Sequence, residues 1–225
     1  MRKFVYIFLP FLLLIFLLSG FFRKEIHPGQ NNLVAVAENI VFELKEGDIL
    51  IRPNWSWLPG SCPVADGRKY GHVALVTRGA AGQSISEALE NATVVEALFF
   101  DQATKEFQFK KENQIRQGKA IVSFGKKFTG IRYRLRIPLT ETQAAVMKNF
   151  AETQLDGGYN ILSVKRKNRK TDKMENLDWH CATLVWQAYF IATGLDIDAN
   201  GGLFIYPSDI IACPIFERPD GIVRF

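Results

Sequence analysis

The chain has 225 residues, 48% of them apolar, and a formal net charge of +5. That length holds about one domain with a real core, and the lack of any low-complexity tract excludes a long disordered protein. No nucleic-acid-binding motif accompanies the positive charge, so a nucleic-acid partner is not expected.

Arg2 and Lys3 precede an apolar run from Phe4 to Phe22 that only Pro10, Ser19 and Gly20 interrupt. A run of about 19 residues can span a bilayer core. It is longer than a usual signal-peptide core, and no small-x-small cleavage site follows closely, since Ala35-Val36-Ala37 lies too far on. No Cys follows Leu18-Ser19-Gly20, which closes the lipoprotein route. Residues 1–24 therefore read as an uncleaved membrane anchor with its N-terminus inside, because positive charge leads the span. A long cleaved signal is the alternative. Either reading places the remainder outside the cytoplasm, anchored to the membrane or secreted to the cell envelope. Residues 25–39 form a mostly polar linker, and the domain runs over 40–225.

Within the domain, Asp48-Ile49-Leu50-Ile51-Arg52 reads as a buried strand after Gly47, and Pro53 to Lys69 as a long loop. His72–Thr77, Thr93–Leu98 and Lys119–Phe124 are the next strands. Ile131–Ile137 alternates strictly, predicting a strand whose Arg132, Arg134 and Arg136 face solvent. Thr140-Glu141-Thr142-Gln143 is a capping box opening a helix that places Met147, Ala151 and Leu155 at core spacing and stops at Gly157-Gly158. Lys165-Arg166-Lys167-Asn168-Arg169-Lys170 is a basic loop, expected to be solvated. Asp178 is the expected cap of the next helix, which ends at Gly194. The tail from Leu203, with Pro207, Pro214 and Pro219, reads as irregular. The pattern is α+β: a mostly antiparallel sheet with helices packed on it.

The chemistry centres on Cys181. A thiol in the first turn of a helix feels the positive end of the helix dipole, which favours the thiolate. The chain has three cysteines. In an oxidising compartment, pairing Cys62 with Cys213 would leave Cys181 free; the distance between that pair is not readable from sequence. His72, at a strand start, is the candidate general base. His180 is the rival, but neighbours on a helix point about 100° apart, so its ring is expected to face away from the Cys181 thiol. Glu96 interrupts an apolar strand, where a carboxylate needs a partner, and could orient His72 if the two strands are neighbours. A zinc site fails on ligand count, because no three or four His, Cys or carboxylate groups share a suitable spacing.

Gly47-Asp48-Ile49-Leu50, then Gly71-His72-Val73-Ala74-Leu75-Val76, then Val95-Glu96-Ala97 resembles the opening half of the YiiX-like family. These proteins are circularly permuted relatives of the NlpC-type cysteine peptidases, within the papain-like superfamily. The closing half is also similar: Gly158-Tyr159-Asn160, the Cys-led helix with Leu184-Val185-Trp186 and Tyr189, and Pro207-Ser208-Asp209-Ile210. The resemblance covers roughly residues 45 to 215. It implies a permuted papain-like fold with Cys181 as nucleophile, His72 as base and Glu96 orienting His72. Tyr70, Trp179 and Tyr159 are candidate pocket residues. The implied activity is thiol-based hydrolysis of a cell-wall peptide or an N-acyl amide, without a cofactor. A lipid-directed acyltransferase or lipase of the same fold and a non-catalytic envelope-binding module are the competing readings, the aromatic loop Trp55-Ser56-Trp57-Leu58 suiting a membrane substrate. The family often carries an aromatic residue before the Cys and a serine after it; here these are His180 and Ala182.

Overall fold

The computed structural model describes residues 33–35, 40–53, 70–99, 113–126, 130–167 and 177–225. The apolar N-terminal run, most of the linker, the loop bearing Trp55, Trp57 and Cys62, and the basic run from Asn168 lie outside the described residues.

Among the described residues nine strands form two sheets. They are β1 (Leu33–Ala35), β2 (Phe42–Leu44), β3 (Ile49–Pro53), β4 (Tyr70–Arg78), β5 (Ala80–Gly82), β6 (Thr93–Ala97), β7 (Ile115–Lys119), β8 (Tyr133–Leu135) and β9 (Ile222–Arg224). The seven-stranded sheet runs β1-β9-β8-β3-β4-β6-β7, and β2 pairs with β5. Among these strands only the β1–β9 pair is parallel. The helices are α1 (Ile85–Asn91), α2 (Ala120–Phe124), α3 (Glu141–Thr153), α4 (Cys181–Thr193) and α5 (Pro207–Ile211).

The continuous apolar runs of β3 and β4 have a physical reason: both faces of the sheet are covered. Ile49, Ile51, Val73 and Leu75 pack with Met147, Phe150, Leu184 and Val185 of α3 and α4. Leu50, Ala74 and Val76 point the other way, into a second core with Ile85 and Leu89 of α1 and Phe124 of α2. The sheet is therefore the middle of three layers. The capping box forms as expected, with Gln143 N–H on Thr140 Oγ1 at 3.2 Å and Thr140 N–H on Gln143 Oε1 at 3.0 Å. Gly194 closes α4 in the left-handed conformation at φ 76°.

Three expectations are corrected. Lys119–Phe124 is not a strand: β7 ends at Lys119 and the next five residues are helical. The arginines around β8 do not face solvent. Arg132 donates to Phe124 O at 2.5 Å, Arg134 pairs with Asp220, and Arg136 grips Asp48 with Nε on Oδ1 at 2.7 Å and Nη2 on Oδ2 at 2.6 Å. Strand alternation separates two faces but does not say which is wet, and here partners from distant segments cover both. The tail is also ordered, forming α5, a 3-10 turn at Pro214–Phe216 and β9, which enters the sheet between β1 and β8.

Candidate functional site

The start of α4 is built on a tryptophan. Trp179 forms a bridge with Tyr159, its N–H donating to Gly158 O at 3.0 Å while its own carbonyl accepts from Asn160 N–H at 3.2 Å. Its indole is fully buried against Phe150 and donates to Gln154 Oε1 at 2.8 Å. This fixes where the chain turns into the helix. The cap is His180 rather than Asp178: its backbone is extended, and its Nδ1 accepts from Ala182 N–H at 3.3 Å. Cys181 is then the first helical residue.

Cys181 is only 1% exposed. Its sulfur accepts from the backbone N–H groups of Val73 and Ala182, and the Tyr159 hydroxyl reaches it. His180 Nε2 stands 3.8 Å from it. The expected separation of His180 from the thiol therefore does not occur. As a cap, His180 lies outside the helical φ/ψ region, and the 100° rule for helical neighbours does not apply to it. Nor does the helix start alone make a thiolate. Burial pushes the Cys181 thiol up to about 11, although the two amide donors and the Arg52 charge pull it down. Burial and the nearby sulfur hold the Tyr159 phenol well above its usual range, so it stays protonated as a donor.

Across the β4–β6 pair, His72 and Glu96 meet. His72 Nε2 is 2.7 Å from Glu96 Oε2, and Ser123 Oγ donates to Glu96 Oε1 at 2.6 Å. Arg116 Nε lies 3.8 Å from the same carboxylate. Phe124 of α2 stacks on the imidazole at 5.7 Å. Burial pushes Glu96 up, but the His72 and Ser123 hydrogen bonds and the Arg116 charge outweigh it, leaving the carboxyl below its ordinary range. Burial also holds His72 below its ordinary value, with Glu96 offsetting part of the shift and the Arg52 charge adding to it. A neutral His72 that donates through Nε2 keeps its lone pair on Nδ1. Arg52 sits directly across from His72 in the β3–β4 register, and burial lowers its pKa to about 10.

The structure thus joins two of the three predicted residues. The third, Cys181, is held by the amide next to His72, with no hydrogen bond between the His72 ring and the sulfur among the described residues. Tyr159 lines a surface cleft with Phe99, Asn160 and Ile161. Tyr70 and Trp179 do not line an opening: both are fully buried core residues, Tyr70 packing on Tyr133 at 5.2 Å. Sequence reasoning missed Ser123, because its segment was read as a strand, and Arg52, which looked like the polar end of one. Cys213 is a free, buried thiol whose sulfur lies 3.8 Å from Asp196 O, while its candidate partner Cys62 lies outside the described residues. Among the described residues no cluster of three or more His, Cys, Asp or Glu side chains is placed to hold a metal ion. Nor is any described helix long and apolar enough to cross a membrane.

No family model matches the chain. Over 74 residues it is 31% identical to the uncharacterized protein YycO of Bacillus subtilis (strain 168), a stretch covering 33% of this chain and 29% of that protein. The chain therefore matches less than a third of that relative's length. In structure it is similar to the metalloprotein YiiX from Escherichia coli O157:H7, with a TM-score of 0.46 and 14% identity over 80% of this chain and 96% of that one. YiiX is the protein whose family the sequence motifs resemble.

Proposed function

We propose that the chain is a YiiX-like thiol hydrolase of the cell envelope, with a permuted papain-like fold, that cleaves amide bonds in wall peptides or N-acyl amides. The observation that carries this reading is the buried His72–Glu96 pair, at 2.7 Å, beside a cysteine that opens a helix. Cys181 attacks the carbonyl carbon as its S–H proton passes to His72 Nδ1. The transfer requires the two groups to come within hydrogen-bond reach in the substrate complex, where such contacts tighten. Glu96 stabilises the imidazolium so formed. The C–N bond breaks, the amine leaves with the proton from His72, and a thioester remains on Cys181. His72 then takes a proton from water, hydroxide attacks the thioester, and the acid departs as the thiol is restored. The Cys181 backbone N–H, at the helix start, faces the developing oxyanion.

One observation favours an acyl-bearing substrate and keeps the lipid-directed transferase as a second reading. Ile161 (57% exposed), Leu162 (61%) and Leu203 (70%) stand in solvent on the segments leading from Tyr159 and towards Tyr206. Lys165 N–H ties these segments together through Leu203 O at 3.0 Å. Ordered apolar side chains next to a cleft suit a hydrocarbon chain. The test is mass spectrometry of wall peptides and N-acyl amides incubated with the full chain, wild type against Cys181→Ala, with and without a lipid alcohol. Hydrolysis that requires Cys181 supports the hydrolase, and acyl-lipid product in its place supports the transferase. Equal turnover by the two chains overturns both and leaves the binding module.

A further inference from the structure

His180 is the one imidazole in contact with the sulfur among the described residues, and the role set out above does not use it. Its two ring nitrogens have different partners. Nδ1 faces the Ala182 N–H at 3.3 Å, and Nε2 faces Cys181 Sγ at 3.8 Å. A backbone N–H can only donate, so Nδ1 must carry the lone pair. A neutral ring then has its single proton on Nε2, directed at the sulfur. The opposite tautomer would set two N–H groups against each other at the helix cap.

We infer that His180 is a fixed hydrogen-bond donor to the Cys181 sulfur, stabilising the thiolate, and that it is not the base. The cap thereby does two things at once: it satisfies an orphan N–H of α4 and selects the tautomer that serves the nucleophile. Burial, with the His72 charge second, lowers the His180 pKa to about 4, so the ring remains neutral through physiological pH. The rings of Tyr159 and Tyr206 flank it edge-on at 5.6 and 6.0 Å. The charged groups acting on the sulfur from the neighbouring strands are Arg52 on β3 and Glu96 on β6, and the Tyr159 hydroxyl reaches it from the segment before α4. Beside these, His180 faces the sulfur with a ring nitrogen at 3.8 Å. This role rests on the reading of Cys181 as a nucleophile, but it is measurable without a substrate.

The experiment is iodoacetamide alkylation of Cys181 against pH in the full chain, with Cys62 and Cys213 replaced by serine. The variants are His180→Ser and His180→Asn, which keep the cap but do not reach the sulfur. The apparent thiol pKa should rise by about one unit, so labelling at a fixed pH below it slows about tenfold. Nitrogen-15 NMR of the wild-type ring should show an Nε2–H tautomer that does not titrate between pH 5 and 8. An unshifted alkylation profile in folded variants overturns the inference, as does an Nδ1–H tautomer or an imidazolium at pH 7. If wild type hydrolyses nothing but the variants still shift the profile, the donor role stands and the hydrolase reading falls. If hydrolysis is present and the profile is unmoved, the donor role falls alone.

Discussion

Replacing His72 with alanine should destabilise the fold and not merely silence it. Glu96 has no exit to water; its carboxylate is buried, with the imidazole at 2.7 Å and Ser123 at 2.6 Å. In the variant, Ser123 and the more distant Arg116 are what remains. Breaking a buried pair on one side costs about 3–5 kcal/mol, because the surviving charge keeps its desolvation without compensation. The sign of the pH dependence follows. In wild type the Glu96 pKa lies below its unfolded value, so its contribution is complete above about 4.5 and is lost as pH falls through the folded value. Without His72, burial dominates and the carboxyl pKa rises. The gap between wild type and His72→Ala should be widest near pH 7 and shrink as acid protonates Glu96. Urea unfolding followed by circular dichroism at pH 7 and pH 5 measures both. Adding Glu96→Gln to His72→Ala should recover more than half of the loss. A gap below about 1 kcal/mol at pH 7, or one that widens in acid, would refute the buried-pair argument.

Two further perturbations follow. Lys165 Nζ sits 2.6 Å from Asp198 and 3.6 Å from Asp196, over the Trp186 ring; Lys165→Met should cost about 3–5 kcal/mol in urea titration by leaving Asp198 buried and unpaired, and Asp198→Asn should restore much of it. Gly47 has φ +90°, and a Cβ there would stand 2.3 Å from Leu139 Cδ1, so Gly47→Ala should lower the thermal midpoint by the equivalent of about 1–3 kcal/mol.

Local signals were readable where the physics is local. Thr140 and Gln143 mark a helix start because their hydrogen bonds close within three residues, and Gly194 marks an end because αL backbone favours glycine. The His72–Glu96 contact was also legible, since a carboxylate amid Val94, Val95 and Ala97 needs a partner. What failed depends on long-range contact. Arg136 is mostly covered because Asp220 and Asp48 arrive from 84 and 88 residues away. Tyr70 and Trp179 look like pocket aromatics by sequence position, yet the positions of β8, α3 and Gln154 turn them inward. His180 was misjudged by applying helix geometry one residue too early.

The sheet divides the reactive groups. His72 and Glu96 of the sheet pack against α2, while Cys181 comes from the layer of α3 and α4 and meets the sheet at the Val73 amide of β4. Neither half of the molecule holds all three side chains by itself. With the α2 layer undocked, the His72–Glu96 pair loses Ser123 and Phe124; with the α3–α4 layer undocked, the thiol loses its Val73 donor. Docking of the α3–α4 layer on the sheet therefore sets the surroundings of the sulfur: its Val73 donor is in place only in the assembled molecule.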